Sequence, residues 1–506
     1  MNRTISLITL FFLSAVTNAI AQRSPAAVAA RQWRQQHERA IIDEYVSLLA
    51  IPNIARDKAN IQRNAQTISA MMEKRGITTR LLTVSDANPV VFGEIRTPGA
   101  NRTIVFYAHY DGQPLDPREW ATPPFSPVLK RAGAASNSEE TIPLPPAGTP
   151  FDPESRIYAR GAGDDKAPII ALLSAIDAIR AAGLRTKSNI KFAFEGEEEA
   201  GSTNFAAILS ANKQLFSGDV WLSLDGPVHQ SRRQSVGFGE RGISVVDITV
   251  YGAQNELHSG HYGNWAPNPA MMLAKLLASM KDDDGHVLVD HFYDGIEPLS
   301  AAEQRAITEI PAYDSELMKE FSLGSTENPT KRLAEAIMQP SLNIRGMSSA
   351  RTGAQASNVI PSSATATIDM RLVKGMDPNA TAERLMEHIR KQGFFVTTTE
   401  PDANVRRAQA KVAWVVQQQG QKAHRTPMDL PIAGDVIRAV ESASGPVIKI
   451  PSSGATGPDA AGSVLGIPSI SVPIANHDDN QHTFDENLRI QNLWDGIELM
   501  AALLTM

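Results

Sequence analysis

Cysteine is absent from the 506 residues of the chain. Its absence excludes disulfide bonds and thiolate chemistry, so any metal ion must be held by histidine, aspartate and glutamate. Those side chains suit a solvent-accessible hydrolytic site for zinc or manganese. The absence alone does not indicate a cellular compartment.

The sequence also lacks an excess of basic charge and, beyond its N-terminal segment, long apolar runs. The net charge of −7 is spread over segments of mixed sign, so we expect no nucleic-acid partner. No later stretch reaches the roughly 20 apolar residues that cross a bilayer. Small molecules or peptides are therefore the better candidates for a ligand.

The N-terminal segment has the pattern of a signal peptide. Arg3 supplies positive charge, an apolar run extends from Ile5 to Val16, and Ala19 and Ala21 fit a small-residue cleavage site. We expect residues 1–21 to be removed and the protein to be exported, to the periplasm or outside the cell, with no membrane partner afterwards. The alternative, a retained anchor, is disfavoured because the run is too short to span a bilayer.

The apolar patterns predict an α/β fold, with a mostly parallel mixed sheet flanked by helices. Helical spacing from Gln32 to Lys74 gives way to β-branched runs, and a helix over 167–182 separates the strand-like runs 103–107 and 190–194. This βαβ rhythm is typical of a parallel sheet. Later elements of the same domain are predicted at 220–224, 447–450, 469–472 and 488–504.

An α+β insertion divides this domain. Alternating strands are predicted at 243–251 and 364–372, with helices at 268–280 and 381–392. We therefore expect the first and last parts of the chain to share one domain, which this insertion interrupts after about residue 237. Residues 132–155 and 282–328 have the composition of surface decorations.

A histidine follows the predicted strand 103–107. His109 lies at its carboxyl end, where open α/β sheets place their ligands. Asp111 lies two residues further on, on the same face of an extended segment, and can accept the second ring N–H to fix the tautomer that binds metal. An ordinary hydrogen bond at a loop end is the alternative.

Aspartates follow two other elements, and each has a structural alternative. Asp164 and Asp165 precede a helix, so that one can cap it while Asp164 bridges two metals. Asp225 follows a buried strand, but Asp225-Gly226 is also a common turn pair.

Glutamates and histidines complete the candidates. Four glutamates crowd into positions 195–199 after a buried strand, where cations would offset their repulsion, although a solvated acidic loop is the usual explanation. His477 and His482 follow the strand 469–472, and either could be a ligand or a surface residue.

Each feature is modest alone, but all of them lie at strand ends or strand-to-helix joins of one sheet. Two histidines and three carboxylates, one of them bridging, suit a dinuclear centre with metals about 3.5–4 Å apart that activates a shared water. The residues therefore predict an exported hydrolase with two divalent ions, zinc first, with manganese or cobalt as alternatives.

The ordered motifs resemble the M20 family of metallopeptidases, close to its carnosine-dipeptidase-like branch. They are YAHYDGQP, RGAGDDKAP, FEGEEEAGS, SLDGP, LHSGHYG and NQHTFDENL. The resemblance implies a zinc-peptidase-like catalytic domain formed by residues 22–236 and 377–506. Residues 237–376 are then an inserted lid and dimerisation domain, which implies a homodimer. It makes Glu198 the general base, a sensible role for an unligated carboxylate beside an activated water. The metal ligands it implies are His109, Asp164 as the bridge, Glu199, Asp225 and His482.

The resemblance also implies three substrate-contacting residues in the insert. His258 matches a histidine that in relatives reaches the partner's active site to stabilise the oxyanion, although a core or surface histidine is the alternative. Asn358 and Arg371 match substrate-binding positions. Arg371 suits a carboxylate, or else a structural ion pair.

Some features depart from the family pattern. Ala167 stands where a glycine usually follows the lysine, the loop 132–155 is longer than in many relatives, and the turn 453–459 is only loosely similar. By resemblance, an aspartate at position 225 accompanies dipeptidase or aminopeptidase activity on small peptides. An N-acyl amino acid deacylase or carboxypeptidase, and a non-catalytic exported binding protein, remain alternatives.

Overall fold

A computed structural model describes residues 23–131, 140–454 and 461–506. The predicted signal peptide, residues 1–21, lies outside this part of the chain, as do residues 455–459 of the loosely similar turn. Among the described residues, no helix has the length and apolarity needed to cross a membrane.

The larger sheet joins eight strands within the described ranges and is mostly parallel. In spatial order they are β1 (Thr78–Leu82), β2 (Val90–Ile95), β7 (Asn189–Glu195), β3 (Thr103–His109), β8 (Val220–Ser223), β20 (Ser469–Ser471), β9 (Ser235–Gly237) and β19 (Ile448–Ile450). Strands β7, β3, β8 and β20 run parallel to their neighbours in that group, while β1 and β2 form an antiparallel edge.

Helices cover both faces of this sheet, so the predicted α/β fold is confirmed. One face carries the main apolar core, in which α3 is buried along almost its whole length because nearly all its residues are apolar. The other face carries a smaller aromatic cluster around Trp221. The helices of this domain are α1 (Pro25–Leu49), α2 (Lys58–Lys74), α3 (Lys166–Ala181), α4 (Phe205–Ala211), α5 (Lys213–Phe216), α13 (Pro431–Ser444) and α14 (Ile490–Leu504).

The helical pattern predicted from Gln32 to Lys74 is two helices, not one. The first ends at Leu49, and Pro52 follows in the connection. Proline has no N–H to donate and disfavours helical geometry in the residue before it. A second helix begins at Lys58, where the Asp57 side chain caps it by accepting the N–H of Asn60.

The second sheet joins five strands in the described residues. In order they are β13 (Ser341–Ser348), β15 (Ser363–Leu372), β11 (Gly242–Tyr251), β17 (Val412–Gln421) and β16 (Phe395–Thr397). Helices α7 (Pro269–Ala278) and α11 (Pro378–Lys391) contribute to its separate core. The predicted domain limits stay a prediction, but this sheet and core continue past residue 376, because β17 pairs with the inserted strand β11 and β16 pairs with β17.

The remaining elements are short. One small sheet contains β4 (Val128–Lys130), β5 (Thr141–Ile142), β6 (Arg156–Tyr158) and β21 (Asn487–Arg489), and two pairs join β10 (Gly239–Glu240) with β18 (His424–Arg425) and β12 (Leu257–His258) with β14 (Val359–Ile360). The other helices are α6 (Ser259–Tyr262), α8 (Ala301–Glu309), α9 (Asp314–Glu320), α10 (Leu333–Ala336) and α12 (Ala403–Ala408).

The excursion from residue 301 to residue 338, which contains α8, α9 and α10, is packed against the main sheet. Ile307, Ile310 and Met338 form a small apolar cluster with Ile448 of β19. Part of this segment was predicted to be a surface decoration. Its packing instead places it beside the carboxyl edge of the main sheet, next to the candidate site.

Candidate metal centre

Parallel pairing brings several strand ends to one edge of the main sheet. His109, the last residue of β3, lies opposite Glu195, the last residue of β7. Tyr107 lies opposite Ser223, which ends β8 two residues before Asp225. The segments that follow these strands therefore leave the sheet side by side, as expected for a ligand site at the carboxyl edge.

The five predicted metal ligands meet at this edge. Asp164 lies between the two histidines, with Oδ1 2.7 Å from His109 Nε2 and Oδ2 3.1 Å from His482 Nε2. Glu199 Oε2 is 3.5 Å from His482 Nε2, and Asp225 Oδ2 is 3.9 Å from His109 Nε2. One carboxylate oxygen on each histidine, with a second carboxylate beside each, is the arrangement that a bridged pair of ions needs.

The donor atoms also fit a cation better than they fit one another. His109 Nε2, Asp164 Oδ1 and Asp225 Oδ1 are buried and lack a hydrogen bond, although the first two are only 2.7 Å apart. Buried polar atoms in proteins are nearly always satisfied. Ligand atoms of His109, Asp164 and Glu199 lie within 4.8 Å of one another, so these residues fit a divalent ion held by nitrogen and oxygen donors.

Asp165 is a neighbour that the sequence analysis did not assign to the site. Its ligand atom lies within 4.8 Å of those of His109 and Asp225, and its Oδ2 accepts the backbone N–H of His109 at 3.3 Å. It occupies the N-cap position of α3 without a capping hydrogen bond from its side chain. The adjacency of Asp164 and Asp165 is a signal in the sequence, but it fits one metal ligand and one helix cap equally well.

Burial and mutual repulsion raise the pKa of three acids at this edge. Burial raises the pKa of Asp225 to about 6 and that of Glu199 to about 9, and the neighbouring charge of Asp164 adds to both shifts. Burial likewise raises the pKa of Glu198 to about 7. The pKa of His482 is also raised, to about 9, because its hydrogen bond to Asp164 favours the protonated ring. Dications at this edge would relieve the repulsion among the acids.

The run of four glutamates is divided by its hydrogen bonds. Glu195 is buried and accepts the hydroxyl of Tyr107 at 2.8 Å. Glu197 accepts the backbone N–H of Asn88 at 3.2 Å and that of Asn204 at 2.7 Å. These two carboxylates are used in the fold, which leaves the next two for the site.

Asp111 fixes the backbone of those two residues. Its carboxylate accepts the N–H of Glu198 and the N–H of Glu199, each at 3.0 Å. The predicted contact with His109 is different in detail, because ring Nδ1 lies 3.2 Å from the main-chain oxygen of Asp111 and 3.6 Å from its Oδ1. The carboxylate is already occupied by two backbone donors, so the carbonyl is the nearer partner of the ring.

Glu486 is an organising residue that the sequence analysis missed. It is fully buried and accepts the backbone N–H groups of Gly161 and Gly163 at 2.9 Å and of Asp164 at 3.0 Å. It also pairs with Arg160 at 2.8 Å. The loop that presents Asp164 is therefore held by one carboxylate from the opposite end of the described chain.

Two amides complete the surroundings of the ligands. Gln481 donates from Nε2 to Asp164 Oδ2 at 2.8 Å, and Gln113 donates from Nε2 to Glu199 Oε2 at 2.5 Å. Such outer contacts orient carboxylate ligands in metal sites. Neither glutamine carried a signal in the sequence beyond its position in a quoted motif.

The predicted residues of the insert lie apart from this cluster. His258 is exposed, accepts the N–H of Gly260 on Nδ1 at 3.1 Å and has its ring 4.5 Å from that of His261. The Asn358 carbonyl accepts the N–H of Ser259, and Arg371 Nε lies 3.6 Å from Asp369 Oδ2. In the described part of the chain, none of the three predicted residues forms a hydrogen bond or ion pair with a predicted metal ligand.

The model of peptidase family M20/M25/M40 matches residues 139–506. The chain belongs to this family. Curated relatives of this M20 chain include a Cys-Gly metallodipeptidase of Schizosaccharomyces pombe, 28% identical over 340 residues, and the human Beta-Ala-His dipeptidase, 29% identical over 309 residues. The matches cover 64% and 60% of this chain, and only 65% and 56% of those relatives.

Solved structures share the fold of this M20 protein. The crystal structure of an M20 family metallo-carboxypeptidase from Sulfolobus solfataricus matches with a TM-score of 0.74 and 26% identity, covering 92% of this chain and 98% of the other. The structure of human carnosine dipeptidase 1 matches with a TM-score of 0.71 and 23% identity, covering 94% and 98%. At that identity the second likeness establishes the fold alone.

Proposed function

We propose that this M20 protein is a dipeptidase that holds two divalent metal ions, zinc first, with manganese or cobalt as alternatives. The observation that carries the proposal is the position of Asp164, with one carboxylate oxygen on His109 and the other on His482. When bound, the ions would lower the pKa of a water and polarise the scissile carbonyl.

Glu198 is the general base of the proposed reaction. Its backbone is fixed by Asp111, and its neighbour Glu199 is one of the proposed ligands. Glu198 accepts a proton from the attacking water and passes it to the leaving amine. The adjacent positions thus have separate tasks, base and ligand.

The names of relatives support a small peptide as substrate. Two of them are named for the dipeptides Cys-Gly and Beta-Ala-His, and a structural relative is named a metallo-carboxypeptidase. The second candidate is therefore a carboxypeptidase or N-acyl amino acid deacylase that uses the same ions. In both, Arg371 and Asn358 bind the substrate and His258 stabilises the oxyanion.

We also propose a homodimer formed through the inserted domain, and export directed by residues 1–21. Support for the dimer comes from apolar side chains exposed on the insert, of which Trp265 is 79% and Met347 55% exposed. β13 is an edge strand of the second sheet. His258 is exposed on the same domain, as a residue must be that reaches into a partner's site.

The function is tested by assaying purified protein on dipeptides and N-acyl amino acids, with zinc or manganese added and with a chelator. We expect metal-dependent cleavage of dipeptides. Cleavage of the acyl compounds alone would reject the dipeptidase in favour of the deacylase.

A non-catalytic binding protein is the candidate from another class. It would show no bound metal by elemental analysis, or the same turnover in Glu198→Gln as in the unchanged protein. The complete set of predicted ligands around Asp164 favours the enzyme.

A further inference from the structure

A cavity of about 460 Å³ adjoins the metal centre. Asp225 and His482 line it at the sheet edge, and the excursion 301–338 supplies the facing wall. A volume of this size is in the range that holds a small ligand. A substrate with its scissile bond at the cluster would therefore have this space beside one of its side chains.

The wall formed by the excursion is apolar. Its side chains include Ile310, Tyr313, Leu317, Leu333 and Ile337. Leu333 is 44% exposed even though it lines the cavity. When a ligand covers apolar surface that is in contact with water in a concave site, the free energy of the complex is lowered.

Two charged side chains of this wall form hydrogen bonds within it. Asp314 accepts the backbone N–H of Leu333 at 2.6 Å, and the guanidinium of Arg332 donates to the carbonyl of Ile310. His229, on the other side of the cavity, contacts Ser231 Oγ through Nδ1 at 2.9 Å. Asp314 and the guanidinium of Arg332 are thus held by contacts within the wall.

The wall is also anchored. Ile310 and Met338 are buried against Ile448 of the main sheet. The apolar side chains consequently keep fixed positions relative to Asp225 and His482, which is what a specificity pocket requires.

We propose that this cavity accepts an apolar side chain of the substrate, on one side of the scissile bond, so that the protein prefers dipeptides with a bulky hydrophobic residue at that position. This inference rests on the proposed function and deepens it. Leu333, Leu317 and Ile337 are the residues that determine the preference.

The first test compares kcat/KM across two dipeptide series, Xaa-Gly and Gly-Xaa, in which Xaa is Gly, Ala, Leu, Phe, Glu or Lys. In one series we expect Leu and Phe to exceed Gly by at least about tenfold, since apolar pockets discriminate by about 10–200-fold per methylene at their best. Equal values in both series, or a preference for Glu or Lys over Leu in both, would overturn the proposal while leaving the dipeptidase function intact.

A matched pair of variants locates the effect. Leu333→Asp places a charge in the cavity, whereas Leu323→Asp changes another leucine of the same excursion that is similarly exposed, at 49%, and does not line the cavity. We expect Leu333→Asp to remove the preference for Phe over Gly and raise the relative rate on Lys, with the Leu323→Asp profile unchanged. Identical profiles in the two variants would contradict the assignment.

A binding measurement separates this inference from the proposed function. Calorimetric titration of the metal-loaded protein with free phenylalanine and with glycine requires no turnover. Tighter binding of phenylalanine that is lost in Leu333→Asp supports the pocket even if no dipeptide is cleaved. Equal affinities for the two amino acids would count against it, whatever the protein hydrolyses.

Discussion

The metal centre and the predicted lid residues differ in how their positions are determined. Around Asp164 most side chains are buried, although the His482 side chain is 54% exposed, and the Asp164 backbone is held by Glu486 from a distant part of the same chain. The His258 side chain, by contrast, is exposed, and its hydrogen bond and its ring contact are with Gly260 and His261, which are close in sequence. The proposed ligands of the first region all come from one chain, whereas the proposed role of His258 requires a partner subunit.

The largest expected effect comes from Asp164→Ala. Removal of the carboxylate between His109 and His482 takes a ligand from both proposed ions, so activity should fall below detection and bound metal should decrease. Elemental analysis alongside dipeptide turnover measures this. Retention of two ions per chain would show that Asp164 is not the bridge.

Glu198→Gln should lower kcat by about 10²–10⁴-fold, the usual contribution of a general base. Metal content should not change, because Glu199 and not Glu198 is the proposed ligand. Loss of metal to the extent seen in Asp164→Ala would show that Glu198 is itself a ligand, against the two separate roles proposed. Unchanged kcat would assign the base elsewhere.

His258→Ala should reduce kcat by about 10²–10³-fold, as expected for one oxyanion donor, and leave metal content unchanged. The contrast is sharpened by mixing this variant with Glu198→Gln and allowing subunits to exchange. If His258 acts in the partner's site, mixed dimers contain one intact site and activity returns. No recovery in confirmed mixed dimers would place His258 in its own subunit's site or outside catalysis.

Glu486→Gln should weaken metal binding by about 10–100-fold, as loss of outer contacts does in metal sites. A neutral amide accepts three backbone N–H groups and an arginine less well than a carboxylate does. Chelator competition measures the affinity. Glu303→Gln is the control, since Glu303 is a buried carboxylate paired with Arg425 outside the site, and it should bind metal normally.

The smallest effect concerns Asp478, in the segment that carries His482. Burial by itself raises the pKa of Asp478, but hydrogen bonding to Arg156 outweighs it and lowers the pKa to about 2, from a usual 3.8. A depressed pKa stabilises the fold above pH 4 and loses that contribution as the pH falls through 2. Because the carboxylate is partly exposed to solvent, we expect its ionisation to contribute about 1 kcal/mol to the free energy of unfolding at pH 7.

Urea unfolding at pH 7 and at pH 2.5 of the unchanged protein and of Asp478→Asn checks this value. The difference in free energy of unfolding between the unchanged protein and Asp478→Asn should be smaller at pH 2.5 than at pH 7. Asp43→Asn removes an exposed ion pair with Arg39 and should change stability little at either pH. A constant difference for Asp478→Asn would rule out its titration as the cause.

The sequence was sufficient for the strand ends and therefore for the ligand cluster. Apolar runs in the sequence indicate the buried strands, and parallel pairing brings the carboxyl ends of those strands together. The sequence alone therefore predicts that His109 and Asp225 lie on one edge of the sheet. The pattern does not show which of the four neighbouring glutamates is a ligand, so the choice of Glu199 depended on the resemblance. Only the hydrogen bonds of Glu195 and Glu197 show which two belong to the fold.

What could not be predicted depends on contacts between distant segments. Nothing local marks Glu486 as the acceptor for a loop 325 positions earlier. The apolar wall around Leu333 was hidden in a segment of mixed polarity, whose packing against β19 is a tertiary event. The resemblance places the end of the insert at residue 376, whereas the second sheet includes β17 from residues 412–421.

The bond between Glu486 and Gly161 has a consequence for synthesis. A ribosome completes β3, α3 and β7 long before it reaches position 486, so the aspartate loop must wait for its acceptor while more than half of the polypeptide is made. The nascent chain can thus form β3, α3 and β7 before it contains the carboxylate that holds the Asp164 loop. On the proposed function, the metal centre would therefore form late in synthesis, after most of the surrounding domain has been made.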